Sequence, residues 1–375
     1  MNASISYWEK SSFFAHQDVI IIGAGLMGLW TAYELKKNKP HLKITILEKN
    51  AIPLGASTRN AGFACFGSAT ELLADKDVLG ENEMLQVVEM RYKGIEKIRN
   101  IFTDNAIEYD NCGGFECINA AHDIDLLSNN LAYLNQLVYP ITQQQNTFTF
   151  ANNSLQNMQL KGFDTLIFNS LEGGLHSGKL VQALTLTVQQ LGVQILYGVA
   201  IRLWEETAFG VHIFAEQSFT FSAEQVIFCT NAFTHLLFPT LTTEPARGQI
   251  IVTAPIEHLA LKGTFHYDEG FYYWRNIGNR ILLGGGRNVD FEAEKTTNLQ
   301  TSNAIQEVLE NFLYKHLIAD KVAIEYRWSG LMGFTKNKQP LVEKMSDRIL
   351  VALACNGMGV ALTPIMAEKV AKIVG

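Results

Sequence analysis

The chain has 375 residues, of which 47% are hydrophobic and 18% charged, with a formal net charge of −7 and a pI near 5.8. Those figures exclude a disordered chain and leave room for two domains, or one large domain with an insertion. The acidic balance argues against a general binder of nucleic acid or of anionic membrane.

Residues 1–16 form an N-terminal arm whose Tyr7, Trp8, Phe13 and Phe14 predict packing on the body. The stretch from Asp18 to Glu48 then organises the rest. Val19–Ile22 is a run of four β-branched residues, as expected for a short strand buried on both faces. Gly23, Gly25 and Gly28 follow in G-x-G-x-x-G spacing and run into a helix-like segment from Leu26 to Lys37. Lys43–Leu47 gives a second strand that ends on Glu48, 20 residues after Gly28. The glycine triplet alone is a weak signal. Strand, glycines, helix, second strand and acid together predict a dinucleotide site. The first glycine permits the turn, the second admits a pyrophosphate, and the third lets helix and strand pack closely. Glu48 is placed to accept hydrogen bonds from ribose hydroxyls and would repel a 2′-phosphate, so NADP is disfavoured.

Ala51–Ser68 is rich in small and hydroxyl residues around Arg59 and Asn60, a composition suited to bringing several donors to a cofactor. Helical spacing runs over Glu81–Thr103 and again over Ile124–Gln136, while Ile107–Asn119 suggests a hairpin around Gly113 and Gly114. Asn146–Asn157 is polar enough for a boundary. A helix capped by Ser177 is expected to end at Gly192, with strands at Val193–Tyr197, Val199–Trp204, Gly210–Phe214 and Ser218–Phe221. Gln225–Cys229 is a further apolar strand, and ligands gather at the carboxyl ends of strands in open α/β sheets. Thr230, Asn231 and Ala232 are therefore cofactor candidates. Gly248–Thr253, Gly270–Arg275 and Arg280–Leu283 suggest a second, aromatic-rich sheet, followed by a helix carrying Ile305, Val308, Leu309, Phe312 and Leu313. Strands at Val322–Trp328 and Arg348–Ala352 precede a final glycine loop and a helix with Thr363 as cap and Pro364 in its first turn.

Five scattered cysteines, Cys65, Cys112, Cys117, Cys229 and Cys355, complete no zinc pattern and are expected to be reduced thiols; no metal is expected. No secretory leader or membrane-length apolar run is apparent, so a cytoplasmic protein without an integral membrane span is expected.

Several segments occur in an order that carries a family resemblance: Gly23–Gly28 with Glu48 and Lys49, Gly55–Phe63, Cys229–Ala232, Pro245–Gln249 and Asn356–Val360. Together they resemble the D-amino-acid-oxidase-like flavoprotein superfamily over nearly the whole chain. The arm at Ser6–Trp8 and the loop Ser57–Phe63 look most like the γ-glutamylputrescine oxidase and glycine oxidase branch. The resemblance implies an α/β fold. A discontinuous Rossmann-type FAD-binding domain (17–85, 155–239 and 326–375) would be joined to a substrate domain (86–154 and 240–325). The substrate domain would hold an antiparallel β-sheet with flanking helices.

The resemblance further implies non-covalent FAD. Its contacts would be Gly23, Gly25, Leu26, Met27, Gly28, Glu48, Lys49, Ser57, Thr58, Arg59, Asn60, Ala61 and Gly62. Val199 would meet the adenine, with Thr230, Asn231, Ala232, Gly330 and the loop Asn356, Gly357, Met358, Gly359 and Val360 completing the site. A helix N-terminus at the flavin N1/O2 edge would stabilise the charge of the reduced ring. Cys65 and Cys355 fall in flavin-proximal loops but carry no linkage signal.

In family members that oxidise α-amino acids, an arginine grips the substrate carboxylate. The matching segment here is Trp328–Gly333, and Met332 stands at that position. This departure favours an amine or N-substituted amine, oxidised at its C–N bond by hydride transfer to flavin N5 and followed by imine hydrolysis. Candidate pocket residues are Phe66, Tyr272, Trp274, Arg275, Trp328 and Met332, with Arg275 or Arg327 as possible relocated anchors. No general base is assigned, and His176, His235 and His266 carry no orienting signal. The partners implied are a small-molecule amine or amino acid and oxygen or another electron acceptor, without nucleic acid. Three alternatives stay open: a glycine or D-amino-acid oxidase or dehydrogenase with a relocated arginine, a flavin-binding protein acting on a macromolecule, and an NAD-dependent dehydrogenase.

Overall fold

A computed structural model describes residues 4–119, 124–318, 321–336, 339–353 and 356–374. Its first sheet grows from the two strands anticipated around the glycine loop. Gln17–Ile22 and Ile44–Glu48 pair in parallel, and both are buried along nearly their whole length. Only apolar, β-branched strands sit comfortably with helices or sheet on both faces. The order across this sheet is Leu341–Lys344, Ile349–Leu353, Thr220–Phe228, Gln17–Ile22, Ile44–Glu48, Gln194–Tyr197. The hairpin Ile201–Thr207 and Gly210–Ala215 attaches to Thr220–Phe228, which is one strand where the sequence suggested two.

Helices Leu26–Asn38, Glu81–Ile101 and Gly359–Ile373 contribute to the core beside this sheet, with Leu29, Trp30, Val88, Met366 and Val370 among its members. Glu81–Ile101 comes close to Gly359–Ile373 at Gly94, where any Cβ would collide with the Ala361 carbonyl. The last helix starts at Gly359 with Met358 as N-cap, one turn earlier than expected. Thr363 is consequently interior and donates its hydroxyl to the Gly359 carbonyl at 2.7 Å.

The second sheet runs Ile324–Thr335, Thr243–Thr253, Arg280–Gly285, Tyr272–Ile277, Thr264–Tyr267, Gly114–Ile118, Thr165–Asn169, Phe148–Phe150. All neighbours are antiparallel except Thr264–Tyr267 against Gly114–Ile118. Thr165–Asn169 and Ile324–Thr335 belong to this sheet, although the sequence division assigns most of both to the nucleotide half. One face packs Phe265, Trp274, Ile281 and Leu283 against the amphipathic helix Asn303–Phe312. The other face looks toward the first sheet.

Two local readings are corrected. Ile107–Asn119 is not a hairpin: Asp104–Ile107 is a short helix, and Gly114–Ile118 pairs with the distant Thr165–Asn169. The N-terminal arm forms a helix, Tyr7–Ser12, closed by a Ser6–Glu9 capping box. Its Tyr7 and Trp8 remain 75% and 77% exposed, and packing on the body falls to Phe14 against Phe219 and Phe221. Among the described residues, no helix is long and apolar enough to cross a membrane.

Candidate functional site

A cavity of about 790 Å³ lies between the two sheets and is lined from both. At one end stands the glycine turn. Gly23 has φ +108°, and a Cβ there would come within 2.7 Å of the Cys229 carbonyl oxygen. At Gly28 a Cβ would collide with the Gly23 carbonyl, so the third glycine permits close packing and does not itself line the cavity. Glu48, buried at its strand end, accepts from the Ala24 N–H at 3.0 Å and the Asn50 N–H at 3.1 Å. Its carboxylate is thereby tied to the turn it faces.

The loop after Glu48 is held by its own side chains. Ser57 Oγ accepts from the Leu26 N–H at 2.9 Å, and Asn60 Nδ2 donates to the carbonyls of Ala56 and Ser57. Asn60 Oδ1 accepts from the Gly62 N–H at 2.8 Å and from the Ser177 hydroxyl at 2.6 Å. Gly23, Gly25, Leu26, Met27, Glu48, Lys49, Ser57, Arg59, Asn60 and Ala61 all line the cavity. Val199, Thr230, Asn231, Ala232, Gly330, Asn356, Gly357, Met358, Gly359 and Val360 line it too. Thr58 instead donates its hydroxyl to the Pro53 carbonyl, and the Gly62 carbonyl accepts from Arg275. Neither belongs to the wall.

The second sheet supplies the other wall. Alternation along Tyr272–Ile277 decides which side chains face it. Tyr273 faces the cavity, whereas Tyr272 stacks on Phe312 with ring centroids 4.5 Å apart and Trp274 is buried against Phe265 on the opposite face. Tyr272 and Trp274 are therefore core residues. Phe66 is likewise fully buried, against Tyr92 and Phe148. Arg275 donates Nη1 to the carbonyls of Gly62 and Leu175 at 2.7 and 3.0 Å, and Arg327 is committed to Gln306 and Glu310. Neither arginine is available as a relocated anchor. Trp328 sits beside the cavity with Nε1 donating to the Arg59 carbonyl. Of the six pocket candidates, Met332 alone is part of the wall.

Wall residues that the sequence did not assign to the pocket include Ile250, Phe271, Tyr273 and Arg287, together with Phe63, Cys65 and His266, which it named without a pocket role. Burial holds the His266 imidazole down to about 4 and pushes the Tyr273 phenol up to about 12. At neutral pH the first is uncharged and the second is a hydroxyl donor. Cys65 is held well above the usual thiol range, first by burial and then by Glu172 and Glu71, so it is a thiol rather than a thiolate. Cys355 lies outside the described residues. His176 caps the helix Ser177–Gln190 at the Lys179 N–H, and His235 Nδ1 pairs with the Ala232 carbonyl. Both are structural.

The buried polar atoms test whether this cavity suits a flavin dinucleotide. Asn356 Nδ2, Arg59 Nε and His266 Nε2 are buried without a hydrogen-bond partner among the described residues, and all three side chains line the cavity. Unpaired buried polar atoms are costly and call for a polar ligand. The glycine turn and the Asn356–Val360 loop, which leads into a helix N-terminus, add backbone approach and a favourable dipole for anionic groups. The residues present fit the group.

Comparisons with known proteins agree. The family described as "FAD dependent oxidoreductase" (DAO) matches residues 18–373. A probable oxidoreductase, OrdL, of Haemophilus influenzae is 26% identical over 96% of this chain and 83% of its own length. The fold is similar to glycine oxidase from Geobacillus kaustophilus, with a TM-score of 0.73 at 20% identity over 96% of this chain and 95% of that one. It is also similar to L-proline dehydrogenase from P. horikoshii, with a TM-score of 0.77 at 15% identity over 96% and 93%. The glycine turn, the acid that closes it and the two-sheet cavity thus stand in a chain that belongs to the DAO family of FAD-dependent oxidoreductases.

Proposed function

We propose that this protein oxidises the C–N bond of a small amine-bearing molecule within the cavity between the sheets. The observation that carries the reading is the continuity of that cavity. It runs from the glycine turn and Glu48 to a second-sheet wall of Met332, Tyr273 and His266. FAD, bound non-covalently, would supply the two-electron acceptor for a hydride from the carbon beside nitrogen. Gly23, Gly25 and Glu48 would hold its adenosine diphosphate part, with Arg59, Asn60, Asn356 and Gly357 toward the ring.

The protein's own share is binding, orientation and exclusion of water. Ile250, Phe63 and Met332 give the wall an apolar surface. Tyr273 adds one hydroxyl donor, and neutral His266 adds no charge at physiological pH. No general base is assigned, and the amine would react as the free base delivered from solution.

Anaerobic addition of a panel of primary, secondary and N-substituted amines and amino acids tests this. Bleaching of the oxidised-flavin absorbance by at least one class is the expected result. A flavin-loaded protein that no amine or amino acid reduces would contradict the reading. His266→Asn should leave the pH dependence of that reduction where the substrate's own ammonium group sets it.

A further inference from the structure

The Pro245–Gln249 motif lies on the strand Thr243–Thr253. Gly248 and Ile250 line the cavity, so alternation turns Arg247 and Gln249 to the opposite face of the sheet, where both are buried. There they meet the loop that joins Arg280–Gly285 to the helix Asn303–Phe312. Between Arg287 and Ser302 only Glu294 is buried, at 1% exposure. Its carboxylate accepts from Arg247 Nε and Nη2 at 2.8 and 2.6 Å, from Gln249 Nε2 at 2.9 Å and from the Ser302 hydroxyl at 3.2 Å. Arg247 also donates its backbone N–H to the Glu294 carbonyl at 2.8 Å and Nη1 to the Gln300 carbonyl at 2.5 Å.

The loop is thus anchored by a charge and not by an apolar side chain. A buried ion pair with its hydrogen bonds filled fixes orientation closely while adding little net stability. What this anchor places lies on either side of it. Arg287 precedes Glu294 and Leu299 follows it, and both line the cavity. The Leu299 carbonyl accepts from the Ser329 hydroxyl at 2.6 Å. The Arg287 guanidinium rests by the rings of Phe291 and Phe334, 4.8 and 4.6 Å from their centroids. The same loop supports the turn at Asp268–Phe271, whose Glu269, Gly270 and Phe271 continue the wall. Asn288 Nδ2 donates to the Asp268 carboxylate at 2.9 Å, and the Phe271 and Phe291 rings meet edge to face with centroids 5.7 Å apart.

We propose that Arg247 and Glu294 are positioning residues for the oxidation: their ion pair, on the far face of the second sheet, sets the loop 286–302 so that Arg287 and Leu299 complete the cavity wall. This rests on the C–N oxidation reading above. Neither Arg247 nor Glu294 is part of the wall, so each acts through the loop. With the pair intact the wall is assembled before substrate arrives, and binding need not order it. Without the pair the largely exposed loop leaves the sheet, and part of the substrate's binding energy goes into bringing it back. The consequence falls on substrate affinity more than on the reduction step.

The test uses the flavin-loaded full chain and two readouts. Lys295, exposed and next to Glu294, reports the loop by its rate of trypsin cleavage. The substrate concentration that half-saturates anaerobic flavin reduction, set against the limiting rate, reports the site. Glu294→Gln leaves the Arg247 charge buried without an anion and should speed cleavage after Lys295 at least about 10-fold. It should also raise the half-saturating concentration at least about 10-fold and change the limiting rate far less, with flavin content retained. Arg247→Met combined with Glu294→Leu removes both charges together, a replacement that commonly preserves stability. This double variant decides the matter even where Glu294→Gln fails to fold. It should melt near the unmodified protein yet keep the raised half-saturating concentration, because apolar side chains do not reproduce the geometry of the fork. Normal half-saturation in a stable double variant would overturn the assignment, since the pair would then only stabilise. So would a Glu294→Gln protein with cleavage and half-saturation both unchanged. Absence of reduction by every compound, with flavin bound, would instead remove the C–N reading, and Lys295 cleavage would still tell an anchored loop from a free one.

Discussion

Trp328 and Arg59 hold each other across the two sheets. Trp328 Nε1 donates to the Arg59 carbonyl at 3.0 Å, and Arg59 Nη1 returns a bond to the carbonyl of Ser329, next to Trp328, also at 3.0 Å. Asn231 repeats the device lower on the same strand, donating to the Leu331 carbonyl and accepting from the Gly333 N–H, both at 3.1 Å. The cofactor loop is thereby fastened to the substrate wall. On the proposed reading these contacts would set the spacing between flavin and substrate.

Trp328→Phe keeps the ring and removes the donor. One hydrogen bond of about 0.5–1.5 kcal/mol is lost, which corresponds to roughly 2- to 10-fold weaker FAD binding. Titration of the apoprotein by flavin fluorescence measures it, and unchanged affinity would argue against the coupling.

Arg275 is a stabilising residue in this structure. Arg275→Lys removes a buried guanidinium whose Nη1 serves both the Gly62 and Leu175 carbonyls and whose Nε serves that of Asn276, and should cost about 1–3 kcal/mol of unfolding free energy. The rate of flavin reduction at saturating substrate should change little once the protein is loaded. Denaturant unfolding and stopped-flow reduction on the same samples separate the two effects.

Glu172 gives the fold a pH dependence of definite sign. Burial raises its carboxyl to about 8, and burial also raises nearby Glu116 to about 7, against an ordinary value of 4.5. The folded chain holds protons that the unfolded chain releases, so stability is fullest below about pH 4.5 and declines as pH rises toward 8. Glu172→Gln can still accept from the Phe66 and Gly67 N–H groups through its amide oxygen. It should flatten the slope of stability between pH 5 and 8 by up to about 1.4 kcal/mol per pH unit. Urea midpoints at several pH values measure this, and an unaltered slope would contradict it.

What the sequence made legible was local. Asp18–Glu48 contains its own strand, turn, helix and acid, so the nucleotide end could be read residue by residue, with Thr58, Gly28 and Gly62 the exceptions at the wall. The substrate end depends on which face of a sheet is turned inward. Tyr272, Tyr273 and Trp274 are consecutive aromatics, and nothing in their alternation selects a face. The selection comes from the helix Asn303–Phe312, whose Phe312 covers Tyr272 and Trp274 and leaves Tyr273 to the cavity. Glycine pairs were misleading for a similar reason. Gly113 and Gly114 looked like a hairpin turn, yet the partner of Gly114–Ile118 lies some 50 residues further along the chain. Arg287 carried only one signal, a lone basic residue after Gly284, Gly285 and Gly286. Long-range packing gave it its place.

On the proposed function, substrate is oxidised against the wall formed by Met332 and Tyr273, beside a flavin held at the glycine turn. Met332→Trp would fill that space without touching Gly23, Gly25 or Glu48. The most direct measurement is anaerobic flavin reduction by the best substrate of the amine and amino-acid panel, compared between the unmodified protein and Met332→Trp at equal flavin content. A normal flavin spectrum is expected, with reduction slowed at least about 100-fold, the scale for misplacing a reacting centre. Reduction at the unmodified rate would contradict it.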